Sequence, residues 1–288
     1  MASVVAPQDG GTPSRCSRLA SRISHSPLAR RPGGVKKGPH PERDARVEGL
    51  AGRRYPVAMK HAGDPSAMTG SFDADGYAVL PALVSEALLD IAGAALSGRA
   101  AVGARDLLHQ AWCADLAGHL QADARLGHAL PRTHVAVQCT AFEKSIERNW
   151  LVPVHQDLAI PVAARVAHPA LAGWSNKDGT WFVQPPVDVL EQLVAVRLHI
   201  DNCGADDGPL NVVAGSHRHG RIVEAEAVAM RNARGSAACP VPRGGAMLMR
   251  PLLLHASSKA TGTSRRRVLH FLFGPPQLPF GLAWALAR

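Results

Sequence analysis

"LVPVHQDLAI", Leu151 to Ile160, sets one imidazole and one carboxylate inside an otherwise apolar run. Burying a carboxylate is costly unless something pairs with it. Residues two apart on an extended strand face the same side, so His155 and Asp157 project together while Gln156 points away. Two explanations compete: a strand end wetted by solvent, or two ligands of a metal ion. On the second, a third ligand must come from another strand. The best candidate is His255 in "PLLLHASS", another apolar run broken by a single imidazole. Two histidines and one carboxylate leave open positions on an octahedral ion, as non-haem iron(II) sites do. Zinc prefers four-coordination with one water, so the same residues also permit a hydrolase.

The flanking sequence has the same strand-like character. "HVAVQCTAF", "LVAVRLHID", "LNVVAGS", "GAMLMRPLLLHAS" and "RVLHFLFGP" are short apolar or β-branched runs separated by Gly, Pro and Asp. They predict an antiparallel sandwich or barrel over residues 131–276. Before it, a short strand is expected at Tyr77 to Leu80. Helices are expected within 82–130: one begins after Ser85 and runs through Leu96, and a second covers roughly Ala104 to Leu126. The segment from His168 to Gln192 reads as a loop that walls the substrate space, with Trp174, Lys177 and Trp181 able to touch ligand; equally, the two tryptophans simply cap the barrel mouth.

Charge is unevenly placed along the 288 residues. Residues 1–67 hold 12 Lys and Arg against 5 Asp and Glu, which is +7 of the net +9. This leader is expected to be disordered, because it is too polar to offset its chain entropy by burial. Its twin arginines, Arg30-Arg31 and Arg53-Arg54, precede no apolar segment, so an export signal is not expected. Translation starting at Met59 or Met68 is a further expectation. The remaining chain, 68–288, reads as a single domain of near-neutral charge, which argues against nucleic acid as a partner. The absence of a run of about 18 apolar residues argues against a membrane-spanning helix. Five widely spaced cysteines without a CxxC pair fit reduced thiols and a cytoplasmic setting.

Other histidines compete for the metal. "RLHID" offers a second pair, His199 and Asp201, also upstream of His255. Asp201 can equally begin the turn "NCGADDG" and cap local amides. His217 and His219 lie between Gly215 and Gly220 on an expected loop. His270 in the last strand fits a core histidine. Spacing does not separate the two HxD pairs.

Longer motifs do. "NWLVPVHQDLAIPV", "W…KDG…VQPP", "VRLHIDNCGADDGPLNVVAGSHRHGRI" and "GGAMLMRPLLLHASSKATGTSRRRVLHFLF" follow one another in this order. From about Phe72 to Pro276 the chain resembles the phytanoyl-CoA dioxygenase family of Fe(II)- and 2-oxoglutarate-dependent oxygenases. The resemblance implies a mostly β protein with N-terminal helices and a double-stranded β-helix (jelly-roll, cupin-like) core. It implies His155, Asp157 and His255 as iron ligands and leaves His199 and Asp201 as framework. The family's 2-oxoglutarate arginine falls among Arg265, Arg266 and Arg267. Its offset favours Arg266, whereas strand periodicity alone also permits Arg267. Ser257 matches a position that hydrogen-bonds the same carboxylate, and Trp174 one near the cosubstrate. Gln138 and Lys144 are weaker candidates for that end.

The implied reaction takes O2 and 2-oxoglutarate, releases succinate and CO2, and hydroxylates a small organic molecule. Related halogenases lack the carboxylate ligand, so Asp157 favours hydroxylation. Two other readings stand beside this one: a catalytically inactive barrel that serves as a binding module, and a zinc hydrolase on the same ligands.

Overall fold

Strand pairing between distant parts of the chain organises the molecule. The structure, a computed structural model, describes residues 70–97 and 103–288. The expectations for residues 1–67 lie outside them. A one-turn helix α1 (Phe72–Asp75) leads into β1 (Tyr77–Leu80), followed by α2 (Glu86–Leu96) and α3 (Ala111–Ala122). Then come β2 (Val135–Lys144), β3 (Val152–His155), β4 (Ile160–Val162), β5 (Ala172–Lys177) and β6 (Thr180–Gln184). α4 (Val187–Glu191), β7 (Val194–His199), β8 (Leu210–Val212) and α5 (Glu224–Arg234) come next. The chain continues through β9 (Ala237–Cys239), β10 (Ala246–Met249), β11 (His255–Ser257) and β12 (Arg266–Gly274).

A five-stranded sheet runs β1-β10-β7-β12-β2, and a four-stranded sheet runs β3-β11-β8-β9. Every pairing in both is antiparallel. This is the jelly-roll core that the alternating runs and the resemblance imply.

Strand alternation divides β12 between two environments. Leu269, Phe271 and Phe273 join Leu89 and Ala92 of α2 and Leu116 and Leu120 of α3 in one apolar core. Burying each such side chain contributes about 1.5–3 kcal/mol. Leu272 belongs instead to the core shared by the two sheets, with Leu210, Val212 and Met247. Arg266 and His270 alternate with the helix-facing residues and line the interior cavity. The helices thus back the sheet whose other face carries polar groups inward. Among the described residues, no helix is long and apolar enough to cross a membrane.

The segment 168–192 is not the loop read from its Pro and Gly content. β5 and β6 form a hairpin that joins β4 in a three-stranded sheet, and α4 follows. The hairpin turns at Asp178 (φ 51°) and Gly179 (φ 84°). Positive φ at two central residues is the primed turn that Asp-Gly favours. The second predicted helix is also shorter than expected, because α3 is flanked by 3-10 turns at Leu107–His109 and Ala124–Leu126.

Candidate active site

β3 ends at His155 and β11 begins at His255, and the two residues are directly paired across the ladder. Their rings lie 4.2 Å apart between centroids. Asp157 lies just past the end of β3, its backbone N–H donating to Pro251 O at 2.9 Å. Gln156 turns the other way. Its Nε2 donates to Gly220 O and Leu252 O at 2.8 and 2.6 Å, and its Oε1 accepts from Ile222 N at 2.9 Å. That buried amide pins the strand end so that Asp157 faces the histidines.

Asp157 Oδ1 is 3.8 Å from His155 Nε2, and Oδ2 is 3.7 Å from His255 Nε2. One ligand atom from each of the three residues lies within 4.8 Å of the others, close enough to hold a metal ion. His155 Nδ1 is 2.8 Å from Pro153 O, and His255 Nδ1 is 2.9 Å from Leu253 O. A carbonyl only accepts, so Nδ1 carries the proton and each Nε2 presents a lone pair. Burial, opposed by Asp157, holds His255 down at about 4. Burial also pushes the Asp157 carboxyl up, but His255, His270, His155 and Arg197 outweigh it and keep it below the ordinary range. Two oriented imidazoles and an ionised carboxylate suit a divalent metal that keeps further positions open.

The rival residues are engaged elsewhere. Asp201 does not cap its own turn as expected. Its carboxylate takes Arg267 Nε and Nη2, both at 2.8 Å, and the Arg267 backbone N–H at 2.9 Å. Arg267 also donates to Gly93 O of α2 at 3.0 Å, on the helix side of the sheet. His199 is buried, its pKa held well below the usual value by burial, Arg197 and Arg266. His217 and His219 lie on the turn Ser216–His219.

His270 is more than a core histidine. Its Nε2 is 3.8 Å from Asp157 Oδ2, and Arg197 Nη1 is 3.1 Å from its Nδ1. A guanidinium only donates, so Nδ1 must accept and Nε2 carries the proton. His270 therefore has the opposite tautomer to His155 and His255, and turns an N–H rather than a lone pair toward the carboxylate. Burial and Arg197 depress its pKa to about 3.

The inward face of β12 and the end of β2 build a cationic cradle. Arg266 is 4 % exposed and donates from Nη1 to Gly208 O at 2.7 Å, leaving Nε buried without a partner. Opposite it in the ladder, Lys144 donates from Nζ to Ser257 Oγ at 2.9 Å and to Ser258 O at 2.5 Å. Burial and the neighbouring Arg266 lower Lys144 to about 8.

A cavity of about 420 Å³ joins the two groups. His155, Asp157, His255, Ser257, Arg266, Lys144 and Gln138 all line it. Trp174 does not. β5 and β6 pair Ser175 with Phe182 and Asn176 with Trp181, so alternation sends Phe182 and Lys177 toward the cavity. Trp174 packs on the other face, edge-on to Trp181 at 6.4 Å. Sequence reading missed Arg197, Phe142, Thr140 and Trp150 in the cavity wall. For Arg197 the signal was present: a lone arginine in the apolar alternation "LVAVRLHI".

The fold is shared with solved structures. EctD from S. alaskensis, in its apoform, superposes with a TM-score of 0.53 at 20 % identity, covering 75 % of this chain and 81 % of that one. The non-haem α-ketoglutarate-dependent carbocyclase SnoK from nogalamycin biosynthesis gives 0.51 at 16 % identity, covering 73 % and 86 %. HygX from Streptomyces hygroscopicus, with nickel and 2-oxoglutarate bound, gives 0.50 at 16 %, covering 71 % and 84 %. At these identities the likeness is one of fold. No curated protein matches the chain. The family model for phytanoyl-CoA dioxygenase (PhyH) matches residues 72–268. That span runs from the first residue of α1 to the third residue of β12. The chain belongs to the phytanoyl-CoA dioxygenase family of 2-oxoglutarate-dependent non-haem iron enzymes.

Proposed function

We propose that the protein hydroxylates a small organic molecule, with His155, Asp157 and His255 holding Fe(II). Arg266, Ser257 and Lys144 hold the far carboxylate of 2-oxoglutarate. The observation that carries this reading is the joint tautomer of the two histidines, whose lone pairs converge with Asp157 on a cavity that ends in buried cations. Bound iron supplies, with 2-oxoglutarate and O2, the oxidising power to attack an unactivated C–H bond.

The protein's part is placement. Pro153 O and Leu253 O keep both Nδ1 protons fixed, so the histidines turn the same lone pairs inward before metal arrives. His255 is already neutral near pH 7, so its coordination releases no proton. The Arg266 guanidinium offers a planar fork to a carboxylate, which lysine reproduces poorly. Phe142, Leu158, Ile160 and Phe182 line the space between and keep water scarce there. Retention of Asp157 as a carboxylate favours hydroxylation over transfer of a halide, since no ligand position is vacated for one.

Succinate formation that requires both Fe(II) and 2-oxoglutarate is the test. Asp157→Ala should abolish it with loss of metal binding, whereas Asp201→Ala should still bind iron. Hydrolysis with zinc and without 2-oxoglutarate would establish the hydrolase instead. Failure of the iron-loaded protein to bind 2-oxoglutarate would leave the binding module.

A further inference from the structure

The charges inside the cavity do not balance. Arg105, Lys144, Lys177, Arg197 and Arg266 line it against the single carboxylate of Asp157. Iron(II) and 2-oxoglutarate carry opposite double charges, so loading both leaves the excess in place. Lys144 and Arg266 belong to the cosubstrate end, and Arg105 has Asp178 at 3.3 Å on the rim. Lys177 is exposed to solvent and lies over the Phe182 ring at 4.8 Å. Arg197 is buried and has no such partner among the described residues.

This residue is 7 % exposed and lies within β7. Its hydrogen bond at 3.1 Å is to the neutral imidazole of His270, and its Nε is buried without a partner. Phe142 covers the guanidinium at 5.5 Å. Arg197 forms no ion pair with a carboxylate among the described residues, although it is part of the cavity wall. A guanidinium stays charged at physiological pH, and leaving it buried and unpaired costs several kcal/mol. An anion entering the cavity would remove that cost.

We propose that Arg197 anchors the substrate, which is a small organic acid with its carboxylate on Arg197 and an apolar body against Phe142 and Leu272. The proposal rests on the oxygenase reading above. 2-Oxoglutarate is a second source of the same chemistry. Its far carboxylate is assigned to Arg266, Ser257 and Lys144 and its near one to the metal, which leaves Arg197 to the substrate.

The test uses matched probes: hexanoate against hexanamide, and 3-phenylpropionate against 3-phenylpropanamide. They are titrated calorimetrically, without oxygen, into the full-length protein loaded with Fe(II) and 2-oxoglutarate. Each acid should bind at least about tenfold more tightly than its amide, the worth of one charge-assisted bond. Arg197→Gln should remove that preference while changing 2-oxoglutarate affinity by less than about threefold. Arg197→Lys, which keeps the charge, should retain part of the preference, and the wild-type comparison needs no variant. Equal binding of acids and amides, or no binding of either, overturns the proposal. So does an Arg197→Gln defect that falls on 2-oxoglutarate as heavily as on the acid. If Fe(II) and 2-oxoglutarate give no charge-transfer absorption with wild type, the oxygenase reading fails separately. The acid–amide comparison on metal-free protein then decides this one.

Discussion

Neighbouring arginines on β12 have opposite fates because a strand alternates. Arg266 points into the cavity, and Arg267 clamps Asp201 beneath α2. Arg266→Leu should raise the 2-oxoglutarate requirement at least about tenfold with iron affinity unchanged, since about 1.5–3 kcal/mol rides on each charge-assisted bond. Arg267→Leu should lower the melting temperature and leave that requirement alone. Equilibrium titrations and thermal melts on both variants distinguish these outcomes. Lys144 adds a pH signature. Its pKa falls from 10.5 to about 8 through burial and Arg266. Between those values the unfolded chain holds the extra proton, so stability of the cosubstrate-free protein should rise with pH there. With Lys144 in the proposed role, binding of 2-oxoglutarate should weaken over the same window as the ammonium is lost, and Lys144→Met should flatten both trends. His155, Asp157 and His255 were legible as candidates because HxD on a strand end and a lone histidine in an apolar run are local signals, though only the family resemblance set them above His199 and Asp201. The opposite tautomer of His270 was not legible, since it depends on Arg197, 73 residues away.

At the scale of elements, the turn before β8 does most to shape the cosubstrate end. Gly208 adopts φ +65°, and a Cβ there would meet Ser258 O at 2.8 Å and Lys144 Nζ at 3.3 Å. Its carbonyl also accepts from Arg266 at 2.7 Å. Gly208→Ala should therefore strain the backbone and displace both cations, costing about 1 kcal/mol or more in stability and weakening 2-oxoglutarate binding. A control at Gly179, also at positive φ but with nothing within 4 Å, should show the stability loss alone. Most strands of the two larger sheets and α2 were readable from periodicity, whereas β9 and α5 were not expected. The β5–β6 hairpin was misread because its Gly and Pro content outweighed the Asp-Gly turn signal. Trp174 was misplaced with it: a loop has no faces, whereas a hairpin assigns one to every residue.

For the whole molecule, metal and fold are linked. The three candidate ligands come from β3, the segment beyond it and β11, so an ion would join chain segments about a hundred residues apart. At a free metal concentration of 100 times its dissociation constant, the native state should gain about 2.7 kcal/mol. In a domain of this size that is a rise of roughly 5–10 °C in melting temperature. Calorimetry with Fe(II) or a redox-inert substitute such as Mn(II) checks it, and Asp157→Ala should lose the rise. The spacing on β11 carries a consequence of another kind. His255 and Ser257 both line the cavity two residues apart, and an extended strand fixes that step at about 6.8 Å. A molecule that grips metal at one end and the Ser257 corner at the other is measured by the strand itself, as by a ruler that cannot stretch. Oxaloacetate, one carbon shorter than 2-oxoglutarate, should fall short of the far mark. In competition it should bind at least about tenfold more weakly.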